Sequence, residues 1–200
     1  MFHRYLALSI MFIIMPFTAD AKDVLNPASL GQAQKLIDEG KNIEAITILD
    51  RVIDSVWDKI PFQISFFTLT ENSSKGFGMF NARKTNIYSK DNAEILLYLE
   101  PIGYKFASEK MDLFKFGCSM DLYLLNKEGK VVFNKENFLN QELMSHFHNR
   151  EFFLNVTLSL TGLEIGDYTI KLITHDTVGK QQTETLVPIV ITGETGGSIK

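Results

Sequence analysis

The run His146-Phe-His148-Asn-Arg150-Glu151 holds the chain's densest collection of groups able to do chemistry. In an extended segment alternate residues share a face, so His146, His148 and Arg150 project together. Two imidazoles at that spacing can share a metal ion. His175-Asp176, at the end of a later strand, would add a third ligand if the fold joined the two places. Zinc takes three or four such ligands and needs hydrogen bonds to orient them. The sequence supplies a pair. The metal reading through His146, His148 and His175 is therefore an alternative to a plainer expectation: a polar loop, no cofactor, and Arg150 paired with an acid.

Nucleophilic catalysis finds little to work with. Cys118 is the only cysteine and falls on the apolar side of its strand, where a thiol behaves as a small buried hydrophobe with a raised pKa. There is no Gly-x-Ser-x-Gly elbow, no Ser-x-x-Lys and no glycine-rich phosphate loop before a helix. Glu94, Glu100, Asp112, Asp121 and Glu151 are scattered over the strands instead of paired for glycoside chemistry. No enzyme and no catalytic residue is expected.

Aromatic side chains are the better candidates for recognition. Phe77, Phe80, Tyr88, Tyr104 and Phe106 fall in or beside predicted loops, where exposed rings stack on sugars or pack on peptides. The expected binding residues are Phe77, Phe80, Tyr104, Phe106 and Arg150. Gly76-Phe77-Gly78-Met79-Phe80 could also form an edge strand able to accept another chain. A carbohydrate-binding surface around Tyr104 is a further alternative.

What positions these groups begins with residues 1–21. A short basic start at His3 and Arg4 precedes Tyr5–Phe17, apolar apart from Ser9, and then Ala19-Asp20-Ala21. That is the layout of a cleaved secretory signal, with cleavage after Ala21. The expected location is periplasmic or secreted, with no stable membrane insertion afterwards. The lone Cys118 excludes an internal disulfide, so stability must come from an apolar core, for which 16 Phe and 7 Met are available. A net charge of −4 argues against nucleic acid, whose binding rests on clustered Lys and Arg.

Residues 22–60 read as a helical hairpin. Asn26 and Pro27 open the first helix; Leu30, Ala33, Leu36 and Ile37 follow at helical spacing; Gly40 closes it. Asn42 can cap a second helix with one apolar stripe of Ile43, Ile46, Leu49, Val52, Ile53 and Val56. The stretch Leu36–Asp50 resembles the middle of one tetratricopeptide repeat, a family that stacks several such pairs to bind peptides. With one copy, the stripe is expected to be buried against the rest of the chain.

From Pro61 the apolar period changes to two. Phe62, Ile64 and Phe66 alternate, as do Ile95, Leu97 and Leu99. Phe114, Phe116, Cys118, Met120, Leu122 and Leu124 share one face, and a hairpin at Asn126–Lys130 leads into Val131-Val132-Phe133. Phe152 to Leu160, Tyr168 to Leu172 and a last strand to Ile191 complete about seven or eight strands with no helix between them. That order predicts an antiparallel β-sandwich over 61–192, with a flexible polar tail at 193–200.

The segment Leu160 to Leu172, with Gly166-Asp167-Tyr168, resembles the closing strands of immunoglobulin-like and fibronectin type III-like domains. The resemblance implies that Tyr168 hydrogen-bonds back across the corner at the entry of the penultimate strand. The helical pair, Trp57-x-x-x-Pro61, Glu100-Pro-x-Gly103-Tyr104 and the terminal Gly-Asp-Tyr strand together also resemble a group of uncharacterised exported bacterial proteins. That likeness implies architecture and location without chemistry. The functional expectation is a non-catalytic envelope module that binds a protein partner.

Overall fold

The structure, a computed structural model, describes residues 27–110 and 112–193. The signal expected over 1–21 and the tail beyond Gly193 lie outside these residues. Among the described residues no helix is long and apolar enough to cross a membrane. The chain divides into two compact units, through Ser55 and from Val56 onward. The division falls inside the second helix, earlier than the boundary expected at residue 60.

The first unit holds helix α1 (Pro27–Asp38) and most of α2 (Asn42–Trp57). Gly40 adopts φ 73°, the left-handed conformation that costs glycine least. Its N–H reaches Ile37 O at 2.9 Å while Lys41 N–H reaches Leu36 O at 2.8 Å, a Schellman closure. Ala45 N–H bonds Lys41 O, so Asn42 lies within the first turn and not at the cap. Ala33 and Ala45 are buried, and of the expected apolar stripe Leu49 and Val52 are half-buried. Ile43 is 82% exposed, and Ile46, Ile53 and Val56 are exposed as well.

The second unit is an immunoglobulin-like antiparallel sandwich, with nine strands among the described residues. They are β1 (Gln63–Thr70), β2 (Ile87–Ser89), β3 (Ala93–Ile102), β4 (Ala107–Ser108), β5 (Phe114–Asn126), β6 (Val131–Ser145), β7 (Leu154–Leu160), β8 (Gly166–Asp176) and β9 (Gln182–Thr192). One sheet has the order β1-β3-β7; the other runs β2-β9-β8-β5-β4, with β6 along the remaining edge of β5. The short β2 lies parallel to β9, and every other pairing is antiparallel. Alternation buries one side of β3, β5, β7, β8 and β9: Ile95, Leu97 and Leu99 meet Leu154, Val156 and Leu158 in one sheet. Phe116 to Leu124, Ile170, Leu172, Val187 and Ile189 face them from the other. At roughly 25 cal/mol per Å² of apolar area removed from water, this single core is the main stabilising term.

Two corners follow the sequence reading. Tyr168 donates its hydroxyl to Glu164 O at 3.0 Å, the expected tyrosine corner. Gly129 takes φ 77° in the β5–β6 hairpin, where Asn126 Oδ1 accepts the N–H groups of Glu128 and Lys130. One strand departs from it. A register shift between Ile64 and Phe66 places Ile64 opposite buried Pro101 and Phe66 opposite Glu100. The bulge therefore turns Phe66 to the outer face, although simple alternation put it with Phe62 and Ile64.

The junction at Trp57 and the turn at Gly103-Tyr104 meet directly. The Trp57 indole N–H donates to Tyr104 O at 2.8 Å, and the two rings sit edge to face at 5.0 Å. Gly103 has φ 75°, and a Cβ there would come within 2.7 Å of Ile60 O and 2.8 Å of Pro61 O. No other residue fits between the two segments. Trp57→Phe keeps a ring but leaves the buried Tyr104 carbonyl without its donor. The expected cost is about 1–3 kcal/mol, measurable by urea denaturation; an unchanged midpoint would remove this contact from the account.

Candidate functional site

The aromatic residues picked from the sequence divide between the interior and one loop. Tyr104 is fully buried, packed on Phe106, Phe116 and Phe152, with its hydroxyl donating to Asn149 O at 2.7 Å. Burial pushes that phenol's pKa well above its ordinary value. Phe106 is half-buried against the same core. Tyr104 is thus no surface residue, and a sugar platform centred on it has no solvent-facing ring. The hydroxyl that sequence reasoning placed in a loop anchors one.

Phe77 and Phe80 lie on a loop that folds over the outer face of the β1-β3-β7 sheet. Asn155 holds this loop through both faces of its amide: Ser74 N–H donates to Oδ1 at 3.0 Å and Nδ2 donates to Ser74 O at 2.9 Å. Tyr98 points outward yet is fully buried beneath the loop. Its hydroxyl accepts Gly78 N–H at 2.7 Å and donates to Glu100 at 2.6 Å. Burial and the Glu100 carboxylate push its pKa up to about 12. Phe80 stacks on Phe66 and Tyr98, leaving Phe77 and Met79 more exposed. The segment 76–80 turns back on itself, with Met79 N–H on Gly76 O and Gly78 at φ 69°. It is a tight turn, not the edge strand expected.

The histidines are not brought together. His148 stacks on Phe106 at 4.5 Å and meets Phe114 edge-on at 4.3 Å. His146 is exposed beside Phe147, and Arg150 is half-buried near Tyr104. His175 aligns with Ser119 on β5, whereas the end of β6 that leads into His146 aligns with Phe114. At ~3.3 Å per residue those positions are about 17 Å apart along the strand. Among the described residues no group of three His, Cys, Asp or Glu side chains is placed to hold a metal ion. Cys118 is fully buried, and burial followed by the nearby Asp176 charge pushes its thiol pKa upward.

His175 instead bonds Asp121. The Nε2···Oδ2 distance is 2.8 Å, and Asp121 Oδ1 accepts Asn137 N–H at 2.8 Å. These contacts tie β8, β5 and β6 together across the outer face of the larger sheet. They border a polar cleft of about 530 Å³ that also exposes Ser119, Glu142, Lys180 and Gln181. Asp176, below it, is consumed structurally: its carboxylate accepts the N–H groups of Lys105 and Val178, both at 2.9 Å.

A second site was missed by sequence reasoning. β6 runs from Val131 to Ser145, far beyond the predicted Val131-Val132-Phe133, because Asn134–Glu142 carries too many polar residues to read as a strand. It pairs with β5 alone among the described residues, so its other edge carries no ladder. Val131, Val132, Phe133, Leu143 and Met144 are exposed along it. Asn137, at φ 46°, bulges opposite Asp121. Between β6 and the free edge of β7 lies a groove of about 450 Å³, with Leu122, Leu124 and Leu158 at its floor and Val132, Phe133 and Leu163 on its walls. The signal available in the sequence was three consecutive apolar residues, Val131-Val132-Phe133, where a half-buried strand should alternate.

No protein family and no curated protein sequence matches the chain. Among solved structures it is similar to a CARDB domain from Pyrococcus furiosus, solved in complex with di-metal ions. The two share 11% identity and a TM-score of 0.35, over 66% of this chain and 93% of that one. The metal ions are a property of that protein. The immunoglobulin-like assignment here rests on strand order and on the Tyr168 corner.

Burial raises the pKa of Asp121, but the Asn137 N–H and His175 outweigh it, so the carboxyl lies below its ordinary value. A depressed pKa stabilises the fold above the unfolded-state value of ~3.9, and that contribution is lost as pH falls through the folded value. Asp121→Asn should therefore be less stable than the parent near pH 5, with the gap closing as the pH falls below ~4. Urea midpoints across that range check this; a gap that widens in acid contradicts it.

Proposed function

We propose that this chain is a non-catalytic protein-interaction module of the cell envelope, exported by the signal at 1–21 and engaging its partner through the β6 side of the sandwich. The observation that carries the reading is β6 itself: a fifteen-residue strand with an unpaired edge and five exposed apolar side chains. Soluble β-proteins ordinarily blunt such edges with charge, bulges, proline or brevity. β6 has charges at Lys135, Glu136 and Glu142 and a bulge at Asn137 in its middle, but its apolar ends, Val131–Phe133 and Leu143–Met144, carry none. A surface left in this state is explained by a partner that covers it. The acidic net charge and the disulfide-free core accord with a role outside nucleic-acid binding.

Catalysis plays no part in this reading. The groups best placed for it are occupied structurally: Cys118 is sealed in the core, Asp176 caps a turn, and His175 is held by Asp121. Export is supported by the pattern of residues 1–21, and fractionation of the producing cell tests it directly.

The interaction is tested in the envelope with a photo-crosslinking residue at Phe133 or Met144, and with Leu186 on the outer face as control. One defined adduct from the β6 positions and none from Leu186 is the expected result. Replacing both β6 residues with Asp should weaken partner capture by roughly tenfold or more while leaving the unfolding midpoint in place. Capture that is indifferent to both changes removes the β6 assignment, and no adduct from any position removes the interaction reading.

A further inference from the structure

We infer that the groove between β6 and β7 receives an extended segment of the partner as an added strand, its apolar side chains facing Leu122, Leu124 and Leu158 and an Asp or Glu facing Lys135. The inference rests on the interaction reading above and names the ligand chemistry of that site.

Both walls of the groove are strand edges. Among the described residues β6 pairs only with β5, and β7 only with β3. Each presents a row of main-chain N–H and C=O groups on the side facing the groove, and these need partners once water is excluded. A polypeptide in the extended conformation supplies donors and acceptors to both rows; an acyl chain would cover the apolar floor and satisfy neither. The volume of about 450 Å³ lies within the ~300–1,000 Å³ common for ligand sites. The rim adds hydroxyls from Thr157, Ser159 and Thr161, spaced to alternate with Leu158 and Leu160. That is the lining expected for a strand whose side chains point alternately in and out.

Charge selects the occupant. Lys135 is the one ionisable side chain lining the groove, and no carboxylate pairs with it among the described residues. In register it stands opposite buried Leu122, so it belongs to the inward-facing set. Its ammonium sits 5.8 Å from the centroid of the Phe138 ring. An inward cation on an edge strand repels indiscriminate apolar strands and rewards one that brings an anion. It also disfavours a second copy of this chain, whose β6 brings the same cation to the same groove.

The test uses the processed chain and two pools of synthetic peptides as long as β7, alternating Val and Thr, one pool bearing a central Asp and the other a central Lys. Fluorescence anisotropy should show the Asp pool binding about tenfold more tightly than the Lys pool. Lys135→Glu, an exposed substitution that leaves the core untouched, should invert that preference. Methylating alternate main-chain nitrogens of the Asp pool should abolish binding, since strand addition needs those donors. Equal binding of both pools, tolerance of N-methylation, displacement by a long-chain fatty acid alone, or pairing of two copies through β6 would each overturn the inference. A crosslinked partner indifferent to Lys135→Glu removes the groove but not the interaction reading. Peptide binding as described with no adduct in the envelope removes the interaction reading and leaves the groove.

Discussion

One hydrogen bond and one missing side chain hold the entry of the sandwich. Trp57 reaches the main-chain oxygen of Tyr104, and Gly103 leaves the space in which Ile60 and Pro61 pass. Around that point Tyr104, Phe106, Phe116 and Phe152 form a contiguous ring cluster, and the Tyr104 hydroxyl fixes Asn149 at the approach to β7. Lys105 extends the tie by giving its main-chain N–H to Asp176, which in turn shapes the β8–β9 turn. The start of the domain, the β3–β4 corner, the β7 entry and the last hairpin are thus fastened to one another. A buried carbonyl and a buried carboxylate are costly without donors, so these few contacts specify geometry as well as stabilise it.

The consequence is an asymmetric sandwich. The smaller sheet has its outer face sheltered by the 72–80 loop, which seals Tyr98 and leaves a modest aromatic fringe at Phe66, Phe77 and Met79. The larger sheet carries charge on its outer face, with Lys115 bonded to Glu142 at 2.9 Å and His175 to Asp121. The open side lies where β6 and β7 face one another without a ladder between them. The asymmetry matters because both sheets are otherwise satisfied at their inner faces, and unsatisfied edges are where a sandwich can still gain hydrogen bonds.

Several chemically suggestive residues turn out to be spent on structure. His148 is an aromatic filler between Phe106 and Phe114, Cys118 is core, and Asp176 is a turn cap. Each is a polar or reactive group engaged in packing or in main-chain hydrogen bonds. The aromatic excess divides similarly, with most rings closing the interior or covering Tyr98. The recognition surface proposed above is instead a strand whose middle is polar and whose two ends are apolar.

Local sequence settled everything that depends on neighbours a few residues apart. The helix stop at Gly40, the hairpin at Asn126–Gly129, the Tyr168 corner and the buried face of β5 are set by backbone torsion, turn chemistry and a period of two, all short-range. What depends on which strands meet was decided only in three dimensions. The bulge that turns Phe66 outward, the pairing of His175 with Asp121, the distance of His175 from the His146–His148 segment, and the groove between β6 and β7 all join residues far apart in the chain. The physical reason is that a strand's inward pattern records that it is buried but not what buries it. Register across strands and the closure of the two sheets are fixed by packing of the whole core, which no single segment encodes.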